Sequence, residues 1–396
     1  MTHHSLKARL CEHLEQWGLK RFTADHEYDA WQKQRLSLAD LRRLGAQVER
    51  KQRGDPREEV AFYDLTAQPA ILPVLYSQRY DYYEAVGLRV ASRIGRARRI
   101  LDFGCGVGIL TTFYARLCPD RAFTGVDRSA ASIAAASQKA RELGLANVRF
   151  DCMDVDADAD HQSEPYDLIL STHALVQNEQ DPGIPSESWR TFARDHDGGQ
   201  QAAFERRTGI GVRLDRLNSV VDDQGRMILC EKTRQLARRV PFQRALAGRG
   251  WQLVEAPEPI RYQLVEESTD DGPLYHVRKG RMALSEWDEA PEPDEGSVFD
   301  PAVLRLLPSD PDLPLYENHR QSAQSAWEQL NPRRVTEETT RRETDGREWH
   351  VELGTSDEMV YLYCANTFDQ RQLVIVEPAR AEMLETYYRE ITGGGS

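Results

Sequence analysis

The run from Ile100 to Leu110, I-L-D-F-G-C-G-V-G-I-L, constrains this chain more than any other segment. A short apolar stretch runs into three alternate glycines, and an apolar helical pattern over Ile109–Leu117 leaves them. That order predicts a strand, a tight turn and a helix start. Glycine lets a backbone approach a ligand closely, and a helix N-terminus presents unpaired amides to an anionic group. A dinucleotide fingerprint requires G-x-G-x-x-G. Here the spacing is G-x-G-x-G, with Ile109 in the sixth place of that register and Thr111 in the sixth place counted from Gly106. A nicotinamide-linked oxidoreductase is therefore disfavoured, and no G-x-x-x-x-G-K-[ST] run is present.

Downstream, apolar runs alternate with helical patterns. Arg99–Phe103, Ala122–Val126, a run opening at Val148–Phe150, Asp167–Ser171 and Arg226–Glu231 read as strands. Ile109–Leu117, Ser129–Leu143, Val212–Val221 and Leu236–Arg249 read as helices. Strands separated by helices predict parallel pairing through right-handed crossovers. Arg261–Glu267 and Leu274–Arg281 predict a closing hairpin, with Asp271-Gly272 as the turn signal. The expected fold class is α/β: a doubly wound, mostly parallel seven-stranded sheet, a helical N-terminal region and a small α+β C-terminal domain.

Four of these runs, in order, resemble the motifs of the class I, Rossmann-like, S-adenosylmethionine-dependent methyltransferases. Asp102-Phe103-Gly104-Cys105-Gly106 with Gly108 is similar to the first motif, D/E-x-G-x-G. Thr124-Gly125-Val126-Asp127 is similar to the second, its acid standing 25 residues beyond Asp102. Phe150-Asp151-Cys152-Met153-Asp154 resembles the third, and Tyr166–Ser171 the fourth. The resemblance covers residues 99–179 well and the sheet to about Arg281 loosely. It implies S-adenosylmethionine as cofactor and S-adenosylhomocysteine as product. Gly104, Gly106 and Gly108 would wrap the methionine part, with Asp102 holding its amino end. Asp127 would accept hydrogen bonds from the ribose diol, since one carboxylate accepts several. Asp154 would read the adenine amino group, with Met153 or Cys152 packed on the ring and Arg128 on its other side. Phe103, Cys105 and Ser171 complete the implied cofactor-binding set.

Methyl transfer from a sulfonium is an in-line displacement, so the protein mainly positions the nucleophile. His173, two residues past the fourth strand, is the candidate base, because an unperturbed imidazole titrates near about 6.5. Packing or turn capping is the alternative for it. Asn178 and Glu179 are weaker candidates on the same loop, and Glu231 reads more readily as a structural ion pair. One of Tyr76, Tyr80 and Tyr83 is a candidate to close the pocket. The strand near Asp167 is followed by S-T-H-A-L, not the [DNS]-P-P-[YFW] run associated with amino methylation of bases or glutamine.

The expected organisation is a helical cover over residues 1–95, a methyltransferase domain over 96–284 and an acidic, proline-rich linker over 285–300. A small domain over 301–392 and a flexible tail over 393–396 follow. Residues 177–224 exceed a usual crossover and are expected to cover the substrate. The D-x-D-x-D spacing from Asp154 is similar to a calcium loop. It has Ala159 where the glycine belongs and Pro165 where the bidentate Glu belongs, so it reads as a solvated acidic loop. Six scattered cysteines show no metal-like or disulfide pattern, so no metal is expected. A net charge of −13 disfavours nucleic acid, leaving a small-molecule or peptide acceptor with an O or N nucleophile. No segment reads as a signal peptide or a membrane span, so a cytoplasmic location follows by default. The C-terminal domain is a candidate for dimerisation or partner binding. The rival function is a non-catalytic interaction protein built on the same fold.

Overall fold

The computed structural model describes residues 3–154, 164–177, 181–280, 287–291, 299–304, 313–344 and 346–393. Asn178, Glu179, the acidic loop beyond Asp154, most of the linker and the last tail residues lie outside the described residues. Two compact units emerge. Unit 1 comprises Met1–Asp181, Ala202–Arg234 and Phe242–Trp287; unit 2 comprises Pro182–Gln201, Gln235–Pro241 and Asp288–Ser396. Among the described residues no helix is long and apolar enough to cross a membrane.

Six helices open unit 1: α1 (His3–Gln16), α2 (Asp25–Arg35), α3 (Leu38–Gln52), α4 (Pro56–Thr66), α5 (Leu72–Ser77) and α6 (Tyr80–Arg93). The alternating part follows as β1 (Arg99–Phe103), α7 (Ile109–Leu117), β2 (Ala122–Asp127), α8 (Ala130–Glu142), β3 (Val148–Cys152) and β4 (Tyr166–Thr172). Then come α9 (Gly198–Thr208), α10 (Ile210–Val220), β5 (Val221–Cys230), α11 (Leu236–Ala247), β6 (Trp251–Leu253), β7 (Glu258–Leu264) and β8 (Glu267–Lys279). The sheet order is β3-β2-β1-β4-β5-β8-β6, with β7 also paired to β8. From β3 to β5 the pairing is parallel; β8 runs antiparallel to β5, β6 and β7. Leu168, Ile169 and Leu170 are buried through, as a strand covered on both faces must be. The helices α1 and α6 share this core: Leu10, Leu14, Val86 and Val90 pack with Ile100, Phe113 and Leu168.

The sheet has the expected mostly parallel α/β class, and the three-residue β6, too short to show a pattern in sequence, adds to the strands expected. One expectation about the end of the sheet is corrected. The hairpin turn is not Asp271-Gly272. The turn is Val265-Glu266, since Leu264 pairs with Glu267 and Val265 takes a positive φ of 59°. Asp271 instead occupies a bulge inside β8: Ile260 pairs with Gly272 and Arg261 with Asp270, which leaves Asp271 unpaired. A bulge re-aims its extra side chain.

Unit 2 carries α12 (Pro301–Leu304), β9 (Tyr316–Asn318), α13 (Ser322–Gln329), β10 (Arg333–Arg342), β11 (Glu348–Ser356), β12 (Met359–Asn366), β13 (Arg371–Val376) and α14 (Ala381–Thr392). Its antiparallel sheet has the order β10-β11-β12-β13-β9. Period-two alternation sorts its residues. Tyr361, Tyr363, Leu373 and Ile375 face the cluster of Ala323, Ala326 and Trp189, while Leu362, Cys364, Val374 and Val376 face Leu384 and Tyr388 of α14. The long segment 177–224 is thus divided: residues 182–201 belong to unit 2 and the rest of its described part to unit 1. Within unit 2 the Trp189 ring stacks on His350 at 3.5 Å and 2° between planes. Arg194, whose side chain is 0% exposed, ion-pairs with Asp369 at 3%.

Removing one member of a buried ion pair leaves the other charge uncompensated. Asp369→Ala is therefore expected to destabilise unit 2 by ~3–5 kcal/mol, read as a lowered urea midpoint for its transition. An unchanged midpoint would show that Arg194 has no need of that carboxylate.

Candidate active site

Parallel strands bring their C-terminal ends to one edge, and a crevice opens where the strand order reverses. In unit 1 that point lies between β1 and β4, and a cleft of ≈ 320 Å³ runs along it. The size falls in the usual range for small-molecule sites, about 300–1,000 Å³. Asp127 ends β2, Asp102 and the glycine turn end β1, and His173 follows β4; all line this cleft. The sheet order alone therefore sets Asp127 and His173 on opposite sides of the glycine turn.

The turn needs its glycines. Gly104 has φ 72°, and a Cβ there would stand 2.1 Å from the Ala174 Cβ. Gly106 has φ 54°, and a Cβ there would meet nothing within 4 Å, which marks the open cradle of the cleft. Its amide donates to Asp127 Oδ2 at 2.9 Å, and the Ser129 amide donates to Oδ1 at 2.9 Å. Each oxygen keeps one further acceptor position. Burial raises the Asp127 pKa against the pull of those two amides. Asp102 lies deeper and accepts from the Thr111 hydroxyl at 2.5 Å. Burial pushes its pKa up to about 6, with Thr111 opposing and Asp127 adding.

Phe103, Cys105, Arg128, Met153 and Asp154 also line the cleft. Arg128 is tied to Glu59 of α4 at 2.8 Å, and Glu59 is itself a lining residue. Ser171 and Gly108 are not among the lining residues. Ser171 is fully buried and its hydroxyl donates to Glu231 at 3.0 Å, so it faces the sheet rather than the cleft. Gly108 starts α7 in a left-handed conformation, where a Cβ would strike Phe150. Glu231 accepts from the amides of Ala174, Leu175 and Val176 at 3.1–3.3 Å and thereby holds the loop after β4.

The same loop holds His173 at φ 58°, an uncommon conformation for a residue with a side chain. Its ring packs on Tyr82 at 5.0 Å. The Arg79 guanidinium donates to Nδ1 at 3.0 Å, which fixes Nδ1 as the acceptor, and Nε2 lies 3.2 Å from Asp271 in an approach that is not an aligned hydrogen bond. Burial lowers the His173 pKa to about 4, with Arg79 adding and Asp271 opposing. Nδ1, the nitrogen that accepts, already meets a cation, and this weighs against a base poised near neutrality. Burial also opposes the charge on Asp271, yet His173, the Tyr262 hydroxyl and Arg79 together hold its pKa well below the usual range.

Arg79, Tyr82 and Asp271 escaped the sequence reading. Arg79 lies inside the tyrosine-rich run, of which Tyr76 and Tyr83 line the cleft and Tyr80 does not. Asp271 was hidden because Asp-Gly is a turn signal, and here it is a bulge. From the long segment after β4, Arg207 and Arg213 reach the cleft; Arg207 pairs with Asp181 and Arg213 donates to the Leu175 carbonyl.

Residues 100–192 match a family model described as a methyltransferase domain. Over 102 residues the chain is 34% identical to 23S rRNA (uracil(747)-C(5))-methyltransferase RlmC of Edwardsiella ictaluri, covering 26% of this chain and 24% of that protein. Over 121 residues it is 33% identical to tRNA (guanine-N(7)-)-methyltransferase of Rubrobacter xylanophilus, covering 30% of this chain and 52% of that protein. The chain thus spans about a quarter and about half of these curated relatives. A solved structure of magnesium protoporphyrin IX methyltransferase from Synechocystis PCC 6803 with bound SAM aligns at 16% identity and a TM-score of 0.34, over 52% of this chain and 81% of that one. Unit 1 has a doubly wound α/β fold, and the stretch that matches the methyltransferase-domain model runs through it to Asp181, with residues 182–192 falling in unit 2.

Proposed function

We propose that unit 1 binds S-adenosylmethionine and transfers its methyl group to a small-molecule or peptide acceptor. The observation that carries this reading is the pair of carboxylates, Asp102 and Asp127, at the ends of adjacent strands beside one positive-φ glycine turn. The residues fit the cofactor. Gly106 leaves open space, each Asp127 oxygen keeps one acceptor position for a diol, and Asp102 offers a carboxylate to an ammonium group. Met153 and Asp154 stand on the β2–β3 side of the same cleft, where the adenine would lie. When bound, the cofactor supplies an electrophilic methyl group. The chain's own part is to bind, align and exclude water. His173 is neutral at pH 7 and serves to orient Arg79, not to take a proton. The acceptor reading rests on the size of the cleft and on the net charge of −13, which disfavours a polyanion although both curated relatives are named as RNA methyltransferases.

Three outcomes are expected. Asp127→Ala should weaken S-adenosylhomocysteine binding at least tenfold by calorimetry, because a hydrogen bond to a charged group contributes ~1.5–3 kcal/mol. Unchanged affinity, or no binding to folded wild-type protein, would reject the reading. Affinity should also fall as pH drops through about 6, since Asp102 takes up its proton there and loses its attraction for an ammonium group. A flat profile between pH 7.5 and 5 would remove Asp102 from that role. Finally, an NMR titration should show His173 protonating near pH 4 and not near 6.5. Its folded pKa is depressed, so its contribution to stability is present above 6.5 and is lost as pH falls toward 4.

A further inference from the structure

The β4 side of the cleft differs in chemistry from the β2 side. Asp102, Asp127, Asp154 and the Glu59–Arg128 pair line one side, while Arg79, Arg207 and Arg213 line the other. Arg79 is the one held for a task. Its guanidinium lies over the Tyr82 ring at 4.2 Å, bonds His173 Nδ1, meets the Tyr262 hydroxyl, and leaves the side chain 35% exposed in the cleft. Asp271 ion-pairs with one of its terminal nitrogens at 3.7 Å, beyond hydrogen-bond distance, and the same Oδ2 accepts from the Tyr262 hydroxyl. A guanidinium has five N–H donors, and one that meets an imidazole nitrogen, a hydroxyl and a single longer ion pair retains donors for an incoming anion. A planar guanidinium fork matches a carboxylate in two-point fashion. Tyr76 and Tyr83, parallel at 6.3 Å, with Tyr82 edge-on to Tyr83, give the adjoining wall flat apolar surfaces.

We propose that Arg79 anchors the carboxylate of a small, planar acceptor at the β4 side of the cleft. This rests on the methyltransferase reading above and narrows its acceptor class. Pairing with a guanidinium makes a carboxylate a poor nucleophile, so the carboxylate is the handle and the methyl group goes to another atom of the acceptor. His173 and Asp271 are positioning residues for Arg79: one bonds it directly, the other faces both and is delivered by the bulge in β8.

Benzoate is the probe, titrated into wild-type protein with and without saturating S-adenosylhomocysteine and followed by ligand-observed NMR. Benzamide, of the same shape without the charge, and inorganic phosphate are the controls. Saturable benzoate binding at least tenfold tighter than either control supports the proposal, as does a tenfold or greater loss in Arg79→Gln with partial recovery in Arg79→Lys. Equal binding of benzoate and benzamide, equal binding of phosphate, or no saturable benzoate binding overturns it, and these comparisons need only the wild-type protein. Failure of S-adenosylhomocysteine to bind rejects the methyltransferase reading separately, because the benzoate arm without it still reports on Arg79.

Discussion

The cleft in unit 1 depends on one buried carboxylate. Glu231 accepts the Ser171 hydroxyl and three successive amides, from Ala174, Leu175 and Val176. Three N–H groups converging on one point form a nest that has to be filled by an anion. The ionised form is costly to bury, and its pKa is raised for that reason, with the hydrogen bonds opposing. Those bonds fix the loop after β4, and the loop fixes two further things. Ala174 comes to lie where only a glycine fits at position 104. His173, forced to a positive φ, turns its ring toward Arg79. The spacing of the glycine turn from the far wall is thus set by a residue that touches neither.

The glycine turn was legible because its constraints are local. A positive φ and a close backbone approach leave a mark at each position, and strand–turn–helix order follows from the run itself. Asp127 was legible for the same reason, standing at the end of a recognisable strand. The structure departs from the sequence wherever a partner distant in the chain decides. Ser171 ends the right strand, yet Glu231, 60 residues on, draws its hydroxyl away from the cleft. Asp271 reads as a turn because Asp-Gly is one in most settings, and only its register against Ile260 and Arg261 makes it a bulge. Strand β10, R-R-V-T-E-E-T-T-R-R, has no alternation to read, because an edge strand with almost no buried residue needs none.

His173 shows why position and protonation have to be argued separately. Its place after β4 was inferable; its basicity was not, because that depends first on burial of the ring and then on Arg79, 94 residues earlier. The same guanidinium that lowers the imidazole pKa is oriented by it. A neutral imidazole accepts one hydrogen bond from the cation and adds no negative charge to the ion pair that Arg79 makes with Asp271.

The Arg79 cluster bears on how methyl transfer would proceed in the proposed function. On the β4 side burial lowers the His173 pKa to about 4 and moves the Tyr76 and Tyr83 hydroxyls above their ordinary range. Acid–base catalysis is most effective when the pKa lies near the working pH, so what these three residues contribute in the proposed function is alignment. Alignment is what an anchored acceptor provides, since holding reactants in near-attack geometry can contribute ~7–11 kcal/mol toward a barrier. A guanidinium clamp on one side of the glycine turn and carboxylates on the other would fix both partners along one line. The acceptor atom then needs either to be uncharged and nucleophilic as it stands, like an amine or a thioether, or to release its proton to water as the bond forms.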